Sequence, residues 1–438
     1  MISPKDDVKR LTGKVRTDHY IWGIFLFILL FSVIELFSAS IQEIKSDNIY
    51  EPLVRHVIFL VAGVICMLLL ERTHYKRIYA AIPWFVILSV LAMAYVMVDG
   101  TKINGVRRAI QFGHSGPMLL PAEFLKLSVA LGVAWILGWC QEPGRRDVTT
   151  RGFVYTLVFL GLCCFLLFSQ GLTNTLLVVA IGGSMMLVSG VSWKKIGLTL
   201  LIFGFLGGGA FLVKTVLAPT KEATPQQVEI ARLNKEEIDL TAGAGRGSTW
   251  LGRLQRHFRA DKYNDTINDL NKQEQISFMA QAHGGLRGVG IGHSRENARL
   301  PLAFSDYIYA IVVEELGVVL AVALLAAYLA LLGRAGRLLM IFKQTLLGVL
   351  VIGCACVIVF QALFHMAIVT GFFPVSGQPL PLISKGGTSV LATCIALGIM
   401  LSVSRHAERY NDNNAVRQRL EELPDDLVST PEAPEEQE

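Results

Sequence analysis

Charge is what this sequence has least of. Only 17% of its 438 residues are charged, against roughly a quarter in an average soluble domain, and 53% are hydrophobic. That balance excludes an ordinary soluble domain, and it excludes disordered and collagen-like chains as well. A net charge of +5 is too small for this length to imply nucleic acid as a partner. The seven cysteines (Cys66, Cys140, Cys163, Cys164, Cys354, Cys356 and Cys394) form no CxxC pair and no Cys/His cluster. All lie in or beside apolar runs, so they read as small core residues rather than as a redox, metal or disulfide framework. The nine histidines show no HExxH and no zinc spacing, and His283 and His293 read as polar loop residues.

Long apolar runs are what the sequence does contain. They fall at about Tyr20 to Ser40, Val54 to Leu70, Ala80 to Val98, Met118 to Trp139, Gly152 to Phe168, Leu172 to Val191, Ile196 to Leu217, Asp306 to Leu332, Thr345 to Thr370 and Gly386 to Ser404. Each approaches the roughly 20 residues that cross a bilayer as a helix. The expected fold is therefore an all-α polytopic membrane protein with about ten transmembrane helices. Residues 1–19 form a polar tail, 20–217 carry spans one to seven, 218–304 form one large loop, 305–404 carry spans eight to ten, and 405–438 form a disordered tail rich in Glu, Asp and Pro. The first run is too long for the core of a signal peptide and reads as an uncleaved span.

Ten spans place both termini on one side. With the N-terminus inside, 20 Lys and Arg fall in the inside tails and short inside loops. Seven (Lys45, Arg55, Lys102, Arg107, Arg108, Lys126 and Lys385) fall in or near short outside loops. That asymmetry predicts cytoplasmic termini and an extracytoplasmic loop at 218–304. Within the loop, TWLGRLQRHFRA (Thr249–Ala260) fits either a helix lying in the membrane interface or one packed on the rest of the loop.

A few polar residues stand where the bilayer makes them costly. Glu123 and Lys126 are three apart in PAEFLKL and share a helix face within the fourth span. Glu314 and Glu315 lie at comparable depth in the eighth, so a pair between Lys126 and Glu314 or Glu315 is expected, with a pair inside one helix as the alternative. Asp306 opens the eighth span in SDYIYAIVVEELG. There it reads equally as a helix N-terminal carboxylate and as a base able to take a proton from a sugar hydroxyl. GGLRGVGIGHS (Gly284–Ser294) offers close backbone approach, to a phosphate for example, and PVSGQPLPLISKGGTSV (Pro374–Val390) implies irregular backbone at the membrane.

Taken together, NGVRR (Asn104–Arg108), PAEFLKL (Pro121–Leu127), GGLRGVGIG (Gly284–Gly292), SDYIYAIVVEELG (Ser305–Gly317) and PLPLISKGGTS (Pro379–Ser389) resemble the SEDS family, the FtsW/RodA proteins of bacterial division and elongation. The similarity runs from the first span to the tenth. It implies a ten-span peptidoglycan glycosyltransferase of the inner membrane. Such an enzyme polymerises lipid II on the extracytoplasmic side into undecaprenyl-diphosphate-linked glycan. Its partners would be a class B penicillin-binding protein and membrane proteins of the division complex.

By that resemblance Asp306 is the catalytic base. Arg107, Arg108 and Lys126 stabilise the leaving diphosphate, with Lys385 or a divalent cation (Mg or Mn) as an expected aid, and Glu123, Glu314, Glu315, Gly386 and Gly387 support the site. The chain departs from the family at SQGLTNT, where Leu172 replaces an acid. It also has Lys385 for a usual Tyr, Ala109 for a usual Trp, and His293 for Asn. Charged tails and the extended loop favour the FtsW-like, septal branch. A lipid-linked sugar flippase and a non-catalytic division scaffold are the competing readings.

Overall fold

The computed structural model describes residues 17–40, 50–103, 106–111, 118–140, 149–199, 201–204, 257–258, 267, 271–297, 299–300, 303–342 and 346–421. The N-terminal tail before residue 17, most of the 218–304 loop and the end of the chain lie outside them. So does the Thr249–Ala260 segment, apart from His257 and Phe258.

The described helices are α1 (His19–Ser40), α2 (Tyr50–Arg72), α3 (Tyr75–Asp99), α4 (Pro121–Trp139), α5 (Thr150–Phe168), α6 (Leu172–Val188), α7 (Lys272–Gly284), α8 (Ala303–Asp306), α9 (Ile308–Ile341), α10 (Leu346–Val369) and α11 (Gly387–Glu421). Six of them, α3, α4, α5, α9, α10 and the α11 stretch Gly387–His406, are long and apolar enough to cross a membrane. The protein is a helical, multi-pass membrane protein. α4, α10 and α11 are largely covered by other helices, whereas α3 turns Trp84, Leu88 and Leu91 outward. An apolar outer surface of this kind suits lipid, which satisfies it as well as protein does.

The bundle has two chemically distinct ends. At one, Asp18 caps α1 by accepting from the Tyr20 N–H at 3.1 Å and also accepts from Arg334 Nε of α9 at 2.8 Å. His406 of α11 stacks on Phe342, just past α9, and lies against Tyr75 at the start of α3. Arg405 donates to the Glu71 carbonyl at 3.0 Å, and Ser402 donates to the Thr73 carbonyl at 2.6 Å. The other end carries Asp306, Arg108 and the Pro/Gly segment 374–386.

Two features differ from the all-α expectation. A small antiparallel sheet, β1 (Thr101–Ile103), β2 (Val106–Gln111) and β3 (Met118–Leu119), in the order β1-β2-β3, fills the connection from α3 to α4. Its signal is present in the sequence: Asn-Gly between two runs rich in β-formers is a hairpin signature, and Ile103 pairs with Val106 across it. The last helix also continues beyond Ser404 to Glu421, so the tail begins later than expected. The string AERYNDNNAVRQRLEE holds no Gly or Pro and is rich in helix formers, which lets the helix propagate out of the bundle.

Candidate active site

Asp306 ends the single turn α8. Tyr307 leaves helical geometry (φ −129°, ψ 18°) before α9 begins, which sets the carboxylate at the head of α9 instead of inside it. Ser305 Oγ donates to Asp306 Oδ1 at 2.9 Å. Ser384 Oγ donates to the Ser305 carbonyl and accepts from the Leu380 N–H, both at 2.7 Å, and so ties the 374–386 segment to this turn. Gly377 of that segment packs on the carboxylate so closely that a Cβ there would lie 2.9 Å from Asp306 Oδ2.

β2 brings one arginine to this point. Successive strand residues face opposite ways, and the two arginines divide accordingly. Arg108 is half-buried: burial pulls its guanidinium pKa down from the ordinary value, and the Asp306 carboxylate pulls it back up. It reaches the Gln170 carbonyl at 3.5 Å, while its buried Nε has no hydrogen-bond partner among the described residues. Arg107 is exposed and turns back to the C-terminal end of α3, donating to the Val98 carbonyl and, at 3.1 Å, to that of Met97. The structure therefore places Arg108, and not Arg107, within electrostatic range of Asp306.

Lys126 is completely buried. Its Nζ donates to Glu123 Oε1 at 2.7 Å, Gln361 Oε1 at 3.0 Å and Gln378 Oε1 at 3.5 Å. The expected pair with Glu314 or Glu315 is not formed, because Glu123, one turn away on α4, already supplies the counter-charge. An ammonium has three donors, and all three are directed to protein, which leaves Lys126 no donor for a diphosphate. Its action is to hold Gln378, next to Gly377, in place. Gln361 completes the cluster by donating to Glu123 Oε2 at 3.2 Å and to the Pro379 carbonyl at 3.1 Å. Gln378 donates to Asn174 Oδ1 at 2.8 Å, and its carbonyl accepts from His365 Nδ1 at 2.6 Å.

Glu314 and Glu315 face another structure. α9 breaks at Gly317 (φ 82°, ψ 167°), and the glycine-rich segment packs into the break. Val289 and Gly290 donate their N–H groups to the Glu314 and Glu315 carbonyls at 2.9 and 3.0 Å, and Val318 donates to the Gly285 carbonyl at 3.0 Å. The Glu314 side chain accepts from Ser294 Oγ and, at 3.0 Å, from the Arg295 N–H. Glu315 accepts from Ser38 Oγ of α1 and, at 3.1 Å, from the Gly292 N–H. The close approach expected of these glycines is thus to a neighbouring backbone. His283 lies 3.6 Å from Glu296 and 3.8 Å from Glu314. Among the described residues no three His, Cys, Asp or Glu side chains converge as metal ligands. The described residues by themselves thus offer no cradle for the expected divalent cation.

The family model of the cell cycle proteins FtsW, RodA and SpoVE matches residues 18–236 and 247–409. The chain belongs to this family. A probable peptidoglycan glycosyltransferase FtsW from Aliivibrio salmonicida is 26% identical over 431 residues, covering 96% of this chain and 98% of its own. The peptidoglycan glycosyltransferase MrdB of Escherichia coli is 27% identical over 403 residues, covering 91% and 96%. In fold, the FtsW/RodA-family chain resembles a component of a peptidoglycan synthase complex coordinating polymerization and crosslinking (TM-score 0.63, 22% identity, 89% of this chain and 98% of that one). It also resembles the rod shape determining protein RodA of Thermus thermophilus (TM-score 0.57, 20% identity, 89% and 97%).

Sequence reasoning missed Gln170, Asn174, Gln361, His365, Gly377 and Gln378. Two of them, Gln170 and Asn174, lie in the SQGLTNT string that had drawn notice only for its missing acid. Uncharged amides inside apolar runs were the available signal, since such groups are buried only when hydrogen-bonded.

Proposed function

We propose that this protein is a peptidoglycan glycosyltransferase that polymerises lipid II outside the inner membrane, in the septal branch and beside a class B transpeptidase. Family membership and the names of its relatives support the activity. The observation that carries the assignment of chemistry is the Asp306 carboxylate packed on the Gly377 backbone at one end of the bundle, within electrostatic range of Arg108.

The reaction follows from those groups. The acceptor sugar hydroxyl attacks the anomeric carbon of the lipid-linked donor, and Asp306 takes the hydroxyl proton. The bond from that carbon to the diphosphate breaks, and its electron pair leaves with the diphosphate. Attack opposite the leaving group inverts the anomeric centre, as in inverting glycosidases. Arg108, whose guanidinium stays charged at any working pH, stabilises negative charge as it develops. Arg107 and Lys126 have no part in that step, because α3 carbonyls and the Glu123 cluster engage them. Ten spans, cytoplasmic termini and an extracytoplasmic Asp306 complete the reading.

The test is reconstitution of the purified chain with lipid II in vesicles, following glycan polymer and lipid scrambling separately. Wild type should make polymer, and Asp306→Ala should make about 100- to 10,000-fold less, the usual span for a lost general base. Polymer from Asp306→Ala at the wild-type rate sinks the assignment. Scrambling without polymer selects the flippase reading.

A further inference from the structure

The residue packed on the Asp306 carboxylate is the tip of a tight turn. Gln378 donates its N–H to the Ser376 carbonyl at 3.0 Å, closing a three-residue turn with Gly377 at its centre. That glycine is the one against Asp306 Oδ2. Glycine has the widest choice of backbone conformation, so what keeps the tip in place is the residue after it. Gln378 is held at every polar group. Its side chain accepts from Lys126 at 3.5 Å and donates to Asn174 at 2.8 Å, its N–H closes the turn, and its carbonyl is bonded to His365 Nδ1 at 2.6 Å. The bond from His365 is the one that ties the Gln378 main chain to a helix.

The need for such an anchor comes from the sequence. Pro379 and Pro381 remove two N–H groups from the segment, and its irregular backbone must find partners outside regular structure. Buried helix side chains supply them. Gln361 donates to the Pro379 carbonyl at 3.1 Å, Tyr328 to that of Pro381 at 2.6 Å and Ser32 to that of Leu382 at 2.7 Å. Of these bonds to carbonyls, the one from His365 lies next to Gly377. A carbonyl oxygen only accepts, so Nδ1 carries the hydrogen. His365 is completely buried in α10, which packs on α4 and α9, so the ring is a fixed post.

We propose that His365 is a positioning residue for glycosyl transfer: through the Gln378 main chain it keeps Gly377 against Asp306 and water away from that side of the base. The role in transfer rests on the polymerase reading; the placement of the carboxylate does not. Removing water from a carboxylate disfavours its charged form. Arg108 of β2 and the Ser305 hydroxyl also act on Asp306, and neither is bonded to Gln378. Loosening the turn should therefore let water reach the carboxylate and make Asp306 give up its proton at lower pH.

Two readouts test this on the purified full chain. The pH dependence of Asp306 modification by a water-soluble carbodiimide, followed by mass spectrometry in detergent, reports its protonation without any turnover. Then kcat and KM for lipid II are measured across pH in vesicles. His365→Leu should move the modification midpoint and the acid limb of kcat/KM together to lower pH. It should lower kcat by about 10- to 100-fold with KM little changed, since a misplacement of about 1 Å can cost about 100-fold. His365→Asn, whose amide nitrogen can stand where Nδ1 stands, should restore the midpoint and most of kcat. Tyr328→Phe removes a comparable bond farther along the segment and should lower the unfolding temperature without moving the modification midpoint. Where His365→Leu does not accumulate in the membrane, His365→Met takes its place. An unmoved midpoint in His365→Leu, an equal shift in Tyr328→Phe, or a His365→Asn chain that behaves like His365→Leu overturns the role of His365. A wild type that makes no polymer, beside a His365→Leu chain whose midpoint still shifts, keeps the placement of Asp306 by His365 and loses the polymerase reading.

Discussion

Two adjacent arginines and one buried lysine illustrate how position decides what a charge can do. Arg107 and Arg108 are chemically identical, but strand alternation sends one to the α3 carbonyls and the other to Asp306. Arg108→Ala should lower polymerisation by about 100- to 1,000-fold, the loss typical of one donor to developing negative charge. Arg107→Ala should leave the rate within about threefold and act on stability, because it removes a cap from a helix end. Equal losses of activity in the two variants contradict this division.

Lys126 gives a second test at the same scale. Removing one partner of a buried ion pair typically costs about 3–5 kcal/mol, because the remaining charge is left uncompensated. Lys126→Met should therefore lower the thermal unfolding midpoint sharply, whereas Glu123→Gln/Lys126→Met should recover much of it. A double variant no more stable than Lys126→Met shows that the pair does not act as a unit. Charge swaps between Lys126 and Glu315 should rescue nothing.

At the scale of elements, the junction of α9 with the glycine-rich segment is tightly constrained. Gly317 and Gly288 both have positive φ, 82° and 79°. A Cβ on Gly317 would lie 2.5 Å from the Gly288 nitrogen. A non-glycine residue in such a conformation costs on the order of 1–3 kcal/mol from backbone strain alone, and here the partner that must move is backbone. Gly317→Ala should loosen the 284–292 segment from α9, read as faster proteolysis there and a lower unfolding midpoint. Gly333→Ala, with open space around its Cβ position, is the control and should be near neutral.

This junction also marks how much was legible in advance. Apolar run length placed α1, α3, α5 and α10 closely, because a bilayer fixes the length of a span. Glu123, Lys126, Glu314 and Glu315 stood out because charge in a membrane is costly. Which of them would meet was not readable, since partner choice depends on helix packing and rotation rather than on depth. The glycine spacing signalled a close approach without naming what approaches.

For the whole molecule, orientation follows from one ion pair and one helix length. Asp18, at the head of α1, accepts from Arg334 of α9 at 2.8 Å, so the N-terminal end of α1 lies at the Arg334 end of α9. From Gly387, close to the Ser384 that bonds Ser305, α11 rises roughly 27 Å at 1.5 Å per residue to Arg405, near the roughly 30 Å of a hydrocarbon core, and His406 there stacks on Phe342 just past α9. Asp306, just before Ile308, therefore lies at the opposite end of the bundle from Asp18. Arg72, Lys76, Arg77, Arg334, Arg337 and Arg405 belong to the Asp18 end, and by the positive-inside rule we propose that this end faces the cytoplasm. Single cysteines at Ser3, Ser248 and Ser429, in a chain with Cys66 and Cys140 changed to Ala, test this in intact cells with a membrane-impermeant maleimide. Ser248→Cys should label, and Ser3→Cys and Ser429→Cys should label only after lysis. Labelling of Ser3→Cys in intact cells inverts the molecule and puts Asp306 in the cytoplasm, where a base for extracytoplasmic polymerisation has no use.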